Sequence, residues 1–166
     1  MTLAIDTASL GEAEAIAALQ TRVADALTTV HGLGHWSSAV TVQSVARALQ
    51  SSKVLVGRDD GEVVSTLRLV TKKPWAIDAK YFTRVRRPLY LLSMAVEPGR
   101  QRGGLGRRML DAAAVVARDW PADAVRLDAY DHAAGAGPFY AKCGYRKVGG
   151  ATYRGVPLSY FELLLT

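Results

Sequence analysis

Between Glu97 and Arg108 the chain reads Glu-Pro-Gly-Arg-Gln-Arg-Gly-Gly-Leu-Gly-Arg-Arg. Residues of these types at this spacing are suited to holding an anion. The stretch follows Tyr90 to Val96, a nearly all-apolar run that predicts a strand buried on both faces. It precedes Leu105, Met109, Ala112, Ala113 and Val116, whose three- and four-residue spacing predicts a helix with one apolar face. The first N–H groups of such a helix lack partners inside it and carry the positive end of its dipole, so a phosphate fits there. Glycines remove the Cβ atoms that would hold a phosphate away from those groups. Arg100, Arg102, Arg107 and Arg108 add charge around the turn. A pyrophosphate-binding turn is the expectation; a helix entry that uses glycines only for close packing is the plainer alternative. Two familiar phosphate loops do not match. No Gly-Lys-Ser/Thr occurs in the chain, and Gly104-Leu105-Gly106-Arg107-Arg108 is followed by Met109 where the dinucleotide fingerprint needs a small residue.

Val96, Pro98, Gln101, Gly104 and Gly106 fill the fixed positions of Val-x-Pro-x-x-(Arg/Gln)-x-x-Gly-x-(Gly/Ala). In this the stretch resembles the coenzyme-binding signature of the GNAT superfamily of N-acetyltransferases. Phe139-Tyr140-Ala141-Lys142-Cys143-Gly144-Tyr145 resembles the Phe-Tyr-x-x-x-Gly-Phe/Tyr segment of the same superfamily, and it follows the strand-like Val125 to Tyr130. The resemblance covers roughly residues 52 to 165 well and the N-terminal part in outline. It departs at Ala133, where relatives often carry an Asn, so a side-chain hydrogen bond common among them is missing.

The resemblance implies a mixed α/β fold: one domain over 1–166, with a mostly antiparallel sheet splayed between two parallel strands and flanked by helices. It implies acetyl-CoA as co-substrate and no metal. Met94, Ala95 and Val96 would meet the pantetheine arm and the thioester oxygen. Gln101, Arg102, Gly103, Gly104, Leu105, Gly106 and Arg107 would hold the pyrophosphate, with Phe139 and Lys142 also on the coenzyme. Tyr140 matches the tyrosine that protonates the departing thiolate. Glu97 stands where some relatives carry a glutamate base. Asp128, His132 or ordered water are alternatives for that role, His132 having the intrinsic pKa best suited to it. His35 and Trp36, in the region that often walls the acceptor, are candidate substrate contacts together with Asp128. His31 and His35 have no third ligand nearby in sequence, which speaks against a metal site. Cys143 falls late on a helix with no neighbouring histidine and is not expected to carry an acyl group.

The elements that must position these residues are legible in outline. Ser9-Leu10-Gly11-Glu12 has the form of a capping box, and Ile16, Leu19, Val23, Leu27 and Val30 predict one face of a long first helix. A second helix follows with Val42, Val45 and Leu49 inward. Lys53 to Arg58 and Glu62 to Val70 predict a hairpin turning at Asp59-Asp60-Gly61. Residues 72 to 88 form a long connection mixing Trp75, Ile77, Tyr81 and Phe82 with cations, read as an acceptor-side flap or a dimer contact. Pro138 opens a short helix that Gly144 closes. Arg146 to Val148 and Ser159 to Leu165 predict a last hairpin across Gly155-Val156-Pro157.

A chain of 166 residues, 49% hydrophobic and 22% charged, is expected to be a soluble globular protein. It shows no apolar run approaching the roughly 18 residues that cross a membrane and no signal-peptide pattern at Met1 to Asp6. With a single cysteine, a reducing cytoplasm is the expected setting. Net charge is +6, but residues 68 to 108 hold eleven Arg or Lys against Asp78 and Glu97, a local +9. Such a field draws a multiply charged coenzyme and equally a nucleic acid, so a nucleic-acid-binding protein stays as an alternative. A catalytically silent acyl-CoA-binding module is another. For the enzyme, the acceptor is expected to be a small-molecule or peptide amine and the protein a monomer or homodimer.

Overall fold

The computed structural model describes residues 2–166. Its secondary structure is mixed α/β, with strands β1 (Leu3–Thr7), β2 (Lys53–Asp59), β3 (Glu62–Val70), β4 (Pro88–Val96), β5 (Ala124–Tyr130), β6 (Arg146–Tyr153) and β7 (Val156–Leu164). The helices are α1 (Ala13–His31), α2 (Val42–Ser51), α3 (Leu105–Asp119) and α4 (Gly137–Lys142). The strands follow the order β1-β2-β3-β4-β5-β7-β6. The β4–β5 pair is parallel, whereas β1–β2, β2–β3, β5–β7 and β6–β7 are antiparallel. The chain forms two compact units, one of residues 2–69 with Leu92–Ala113, the other of Val70–Leu91 with Ala114–Thr166.

In the first unit, β2 and β3 turn through Asp60 and Gly61 at φ 49° and 84°. This is the positive-φ pair that matches a two-residue turn to strand twist. α1 and α2 pack Ala13, Ile16, Ala17 and Val45 on Val54 and Val56 of β2. The expected α1 stripe holds at Ile16 and Leu19 but fails at Val30, which is 75% exposed because the helix runs past the sheet before it ends. Val42 is likewise exposed at the start of α2, where Thr41 caps the helix by accepting from Ser44 N–H at 3.1 Å. β1 was not anticipated; it pairs Leu3 with Asp59 through Thr7 with Leu55, completing β2's outer edge. The capping box forms, with the Glu12 carboxylate accepting from Ser9 N–H at 3.0 Å. That carboxylate also takes Arg58 Nε at 2.7 Å and Nη2 at 2.5 Å, fastening the start of α1 to β2.

The second unit explains the long connection before β4. Ile77 and Phe82 are buried with Tyr90, Leu158 and Tyr160, so its inner half is part of a core. Tyr160 Oη donates to Ala76 O at 2.5 Å and accepts from Asp78 N–H at 3.3 Å. Glu162, 1% exposed, accepts from Thr83 N–H at 3.2 Å and from Thr83 Oγ1 at 2.6 Å, and pairs with Arg146 at 2.8 Å. Burial would raise the pKa of Glu162, but those hydrogen bonds outweigh it and hold the carboxyl below the usual range. Arg126, 5% exposed, donates to Thr83 O at 2.8 Å and to Tyr90 Oη at 3.1 Å. Only the outer part of the connection stands away, with Trp75 82% exposed. The last hairpin turns at Arg154-Gly155, φ 49° and 80°, and not across Val156-Pro157, which are already in β7.

Arg58 holds the Glu12 carboxyl down at a pKa of about 2 against an ordinary 4.5. A depressed carboxyl stabilises the fold above its unfolded pKa and ceases to do so as pH falls through its folded one. Glu12→Gln is therefore expected to lose about 1–2 kcal/mol in denaturant unfolding at pH 7. The gap from the parent should close between pH 4.5 and about 2. A gap of constant size down to pH 2 would show that the ion pair contributes nothing.

Candidate functional site

The glycine turn lies in the first unit. A 3-10 turn, Pro98–Arg100, follows β4, and Gln101 to Gly104 lead into α3. Arg102 and Gly104 sit at φ 68° and 84°. Left-handed residues that alternate with others, as here across Gly103, turn main-chain N–H groups outward into a concavity suited to anions. The ladder of α3 begins with Arg108 N–H on Gly104 O at 3.1 Å, so the N–H groups of Leu105 and Gly106 stand outside it. Gln101, Arg102, Gly103, Gly104 and Arg107 are exposed, whereas Leu105 is buried and anchors the helix with Met109. A Cβ on Gly104 would meet no protein atom within 4 Å, so glycine is required there by the backbone angle and not by crowding.

Side chains brace this turn in ways the sequence did not reveal. Gln101 Nε2 donates to Val96 O at 3.1 Å, tying the motif's glutamine to the end of β4. Arg100 pairs with Asp59, a carboxylate 8% exposed at the end of β2. The charge of Arg100 is thus committed to the protein, against the expectation that it lines the anion site. Glu97 N–H bonds Val64 O at 2.8 Å, fixing the exit of β4 to β3.

The Glu97 carboxylate is gripped by Arg22 of α1, with Nη2 to Oε2 at 2.7 Å and Nε to both oxygens at 3.1 Å. Arg22 answers with a pKa raised first by its hydrogen bond to Glu97. Upstream, β4 is not buried on both faces as expected: Ser93 is exposed and takes φ 56° within the strand. A left-handed non-glycine residue inside a strand is a strained kink, held only where neighbours impose it. Gln20 of α1 donates to Ser93 O at 3.4 Å, and Arg68 of β3 donates through Nε to Ser93 Oγ at 3.3 Å. Met94, Ala95 and Val96 follow this kink directly. The α1–α2 loop holds Trp36 back on itself, with Nε1 donating to Gly32 O at 3.0 Å and its ring edge-on to His31. Gly34 permits this, since a Cβ there would lie 2.4 Å from the indole. His35 is exposed on the same loop.

The second unit brings Tyr140 and Asp128 into one electrostatic neighbourhood. Tyr140 is buried on α4 among Phe139, Tyr145 and Phe161, ring centroids 5.4, 5.8 and 6.1 Å away. Burial first, then the nearby Asp128 and Cys143, push its phenol well above 10. Asp128, on β5 opposite Tyr160 of β7, is itself pushed up by burial. The phenols of Tyr130 and Tyr160 also shift up, burial first and Asp128 contributing to each. His132 turns its Nδ1 inward to accept Ala134 N–H at 2.9 Å, so that nitrogen is engaged in a turn. Lys142 is exposed on α4 and Cys143 half-buried at its end.

Ser93, Arg68, Gln20, Arg22 and Asp59 are the residues that reading the sequence missed. Arg68 gave a signal, as a lone cation among Val63, Val64, Leu67 and Leu69; the others gave none. Among the described residues, no group of three His, Cys, Asp or Glu side chains could hold a metal ion. No helix among them is long and apolar enough to cross a membrane.

No curated protein matches the sequence. Solved structures do match its fold. An N-acetyltransferase from Staphylococcus aureus Mu50 superposes with a TM-score of 0.75 at 16% identity over 100% of both chains. The putative acetyltransferase yncA from Salmonella typhimurium, solved with acetyl-CoA, gives 0.73 at 17% over 100% of this chain and 95% of that one. The PaiA N-acetyltransferase from Thermoplasma acidophilum, in complex with coenzyme A, gives 0.72 at 13% over 99% of each. At these identities the likeness is one of fold. Sequence carries the assignment further, because the profile of the Acetyltransferase (GNAT) family matches residues 28–145, across both the glycine turn and the Phe139–Tyr145 segment. With that match over more than half its length, the chain belongs to the GNAT family of acyltransferases.

Proposed function

We propose that this protein transfers an acetyl group from acetyl-CoA to a primary amine of a small molecule or peptide by direct attack. The observation that supports this most is the turn from Gln101 to Gly106: left-handed at Arg102 and Gly104, exposed from Gln101 to Gly104, and followed by main-chain N–H groups outside the helical ladder. Such a cradle suits a diphosphate. The coenzymes named with the Salmonella and Thermoplasma structures are of the same chemical kind.

The coenzyme would supply an acyl thioester, whose carbon–sulfur bond breaks as the amine's nitrogen–carbon bond forms. The chain must hold the carbonyl, take a proton from the amine and return one to sulfur. Main-chain N–H groups at Met94 to Val96, re-aimed by the kink at Ser93, are the proposed donors to the carbonyl oxygen. Gln101, Arg102, Gly103, Gly104, Leu105, Gly106 and Arg107 hold the diphosphate, with Phe139 and Lys142 along the coenzyme. Tyr140 donates to sulfur. Its raised pKa keeps the phenol protonated throughout the working range, so it is always armed as a donor.

For the amine proton, two carboxylates present opposite environments. Both oxygens of Glu97 are engaged by the Arg22 guanidinium, which turns that carboxylate toward α1 and away from an acceptor. Asp128 has its pKa raised by burial and so lies closer to a useful base. We assign it the proton-accepting role, directly or through water, and Glu97 the role of fixing α1 to the exit of β4. His35 and Trp36 are proposed to border the acceptor.

Tyr140→Phe is expected to keep acetyl-CoA affinity by calorimetry while lowering kcat about 10²-fold or more; an unchanged kcat would remove Tyr140 from the acid role. Activity that needs Asp128 ionised rises with pH through its folded pKa, which lies above the ordinary 3.8. The acid limb of kcat/KM should therefore sit higher than for a free carboxylate and should vanish in Asp128→Asn. A limb that survives that change would point to another base. Gly104→Val forces a branched side chain into φ 84° and should weaken acetyl-CoA binding at least 10-fold. Asp59→Asn, which loosens Arg100 behind the turn, should weaken it less, about 3- to 10-fold. Full affinity in both variants would put the diphosphate elsewhere.

A further inference from the structure

Four arginines of the first unit, Arg22, Arg58, Arg68 and Arg100, divide into two kinds. Arg22, Arg58 and Arg100 each lie on a carboxylate, from Glu97, Glu12 and Asp59 respectively. Arg68 does not. Half-buried on β3, it makes its hydrogen bond to the neutral Ser93 Oγ, and among the described residues no carboxylate stands within ion-pair distance of it. Burial shifts its pKa down, with no charged neighbour entering the balance. Half-burying a guanidinium beside a neutral partner carries a desolvation cost that a bound anion would offset. Helix interiors and strands offer many cheaper residues for that position. Its contact with Ser93 uses Nε, which leaves the geometry of the two Nη groups suited to a planar, two-oxygen anion.

Its position adds to this. Arg68 bonds the one residue of β4 that departs from strand geometry, and that residue immediately precedes Met94 to Val96. On the reading above, on which this inference rests, those are the residues that receive the acyl carbonyl. We propose that Arg68, steadied by Ser93, binds an anionic group carried by the acceptor, and that the acceptor is an α-amino acid or similar amino carboxylate. A carboxylate held on Arg68 sets an α-amine two bonds away beside the proposed acyl position. Gln20, through its bond to Ser93 O, holds the kink that makes this approach.

The experiment compares a panel of free α-amino acids with the same compounds as carboxamides, on the parent, Arg68→Gln and Arg68→Lys. On the parent, the best amino acid should exceed its carboxamide in kcat/KM by about 10- to 100-fold, the worth of a charge-assisted pair. In Arg68→Gln that ratio should fall to within about twofold, chiefly through KM of the acids, and Arg68→Lys should recover part of it. Acetyl-CoA affinity by calorimetry should not move, which also reports that the variants fold. A parent indifferent to the carboxylate, or an Arg68→Gln that slows acids and carboxamides alike, overturns the proposal. A loss of acetyl-CoA affinity in Arg68→Gln also overturns it, by placing Arg68 on the coenzyme's phosphates. Calorimetric titration of the amino acids themselves keeps this separate from acetyl transfer. If the parent turned over no amine, heat that depends on both the carboxylate and Arg68 would still uphold the site, and its absence would remove it.

Discussion

The first N–H groups of a helix have no partner inside it, and the first unit is arranged around the turn where those of α3 begin. The kink at Ser93 and the left-handed residues at Arg102 and Gly104 turn the backbone away from regular pairing. The cost is met by bracing from behind: Gln20 on the Ser93 carbonyl, Gln101 on the Val96 carbonyl, Glu97 N–H on Val64, and Asp59 on Arg100. These braces fix the chain path, and at the start of α3 the N–H groups of Leu105 and Gly106 stand outside the helical ladder. Pre-organised amides of this kind need no rearrangement to receive charge, which is what gives such donors their catalytic worth.

The basic stretch from 68 to 108 acts less as a diffuse field than its composition implied. Arg87 pairs with Asp123, Lys80 with Asp78, and Arg100 with Asp59, while Lys73 Nζ donates to the carbonyls of Pro74 and Ile77. Several of the charges are therefore structural fasteners of the connection before β4 and of the glycine turn. A nucleic-acid surface would call for those cations to be presented together along a backbone track. A small ligand with a compact, multiply charged group needs only the few at the turn, and the fold supports that arrangement.

Local patterns in the sequence identified the turn at Asp60-Gly61, the helix from Leu105 to Asp119 and the capping box at Ser9 to Glu12, because each is specified by residues within one or two turns of chain. The glycine turn and the Phe139 to Tyr145 segment were legible for the same reason, their spacing being a backbone requirement. What escaped was set by distant partners. Val30 continues the apolar period of α1 but lies beyond the sheet, so periodicity misjudged it. Val156 and Pro157 look like turn formers, yet register with β6 draws them into β7. The pairing of Glu97 with Arg22, 75 residues earlier, could not be read from either residue's neighbours, nor could the burial of Asp59.

Distant partners bear on chemistry as well, since the two carboxylates Glu97 and Asp128 stand in opposite surroundings. Glu97 meets the Arg22 guanidinium at 2.7 Å. Asp128 lies on β5 among aromatic rings, where desolvation destabilises the charged form and its own field in turn lifts the phenols of Tyr130, Tyr140 and Tyr160. The pair of Glu97 and Arg22 is a fastener between α1 and the exit of β4. Burial instead raises the proton affinity of Asp128 and, in the same unit, of the Tyr140 phenol. Burial raises both acids together, so the phenol, starting from the higher ordinary value, stays the weaker acid of the two.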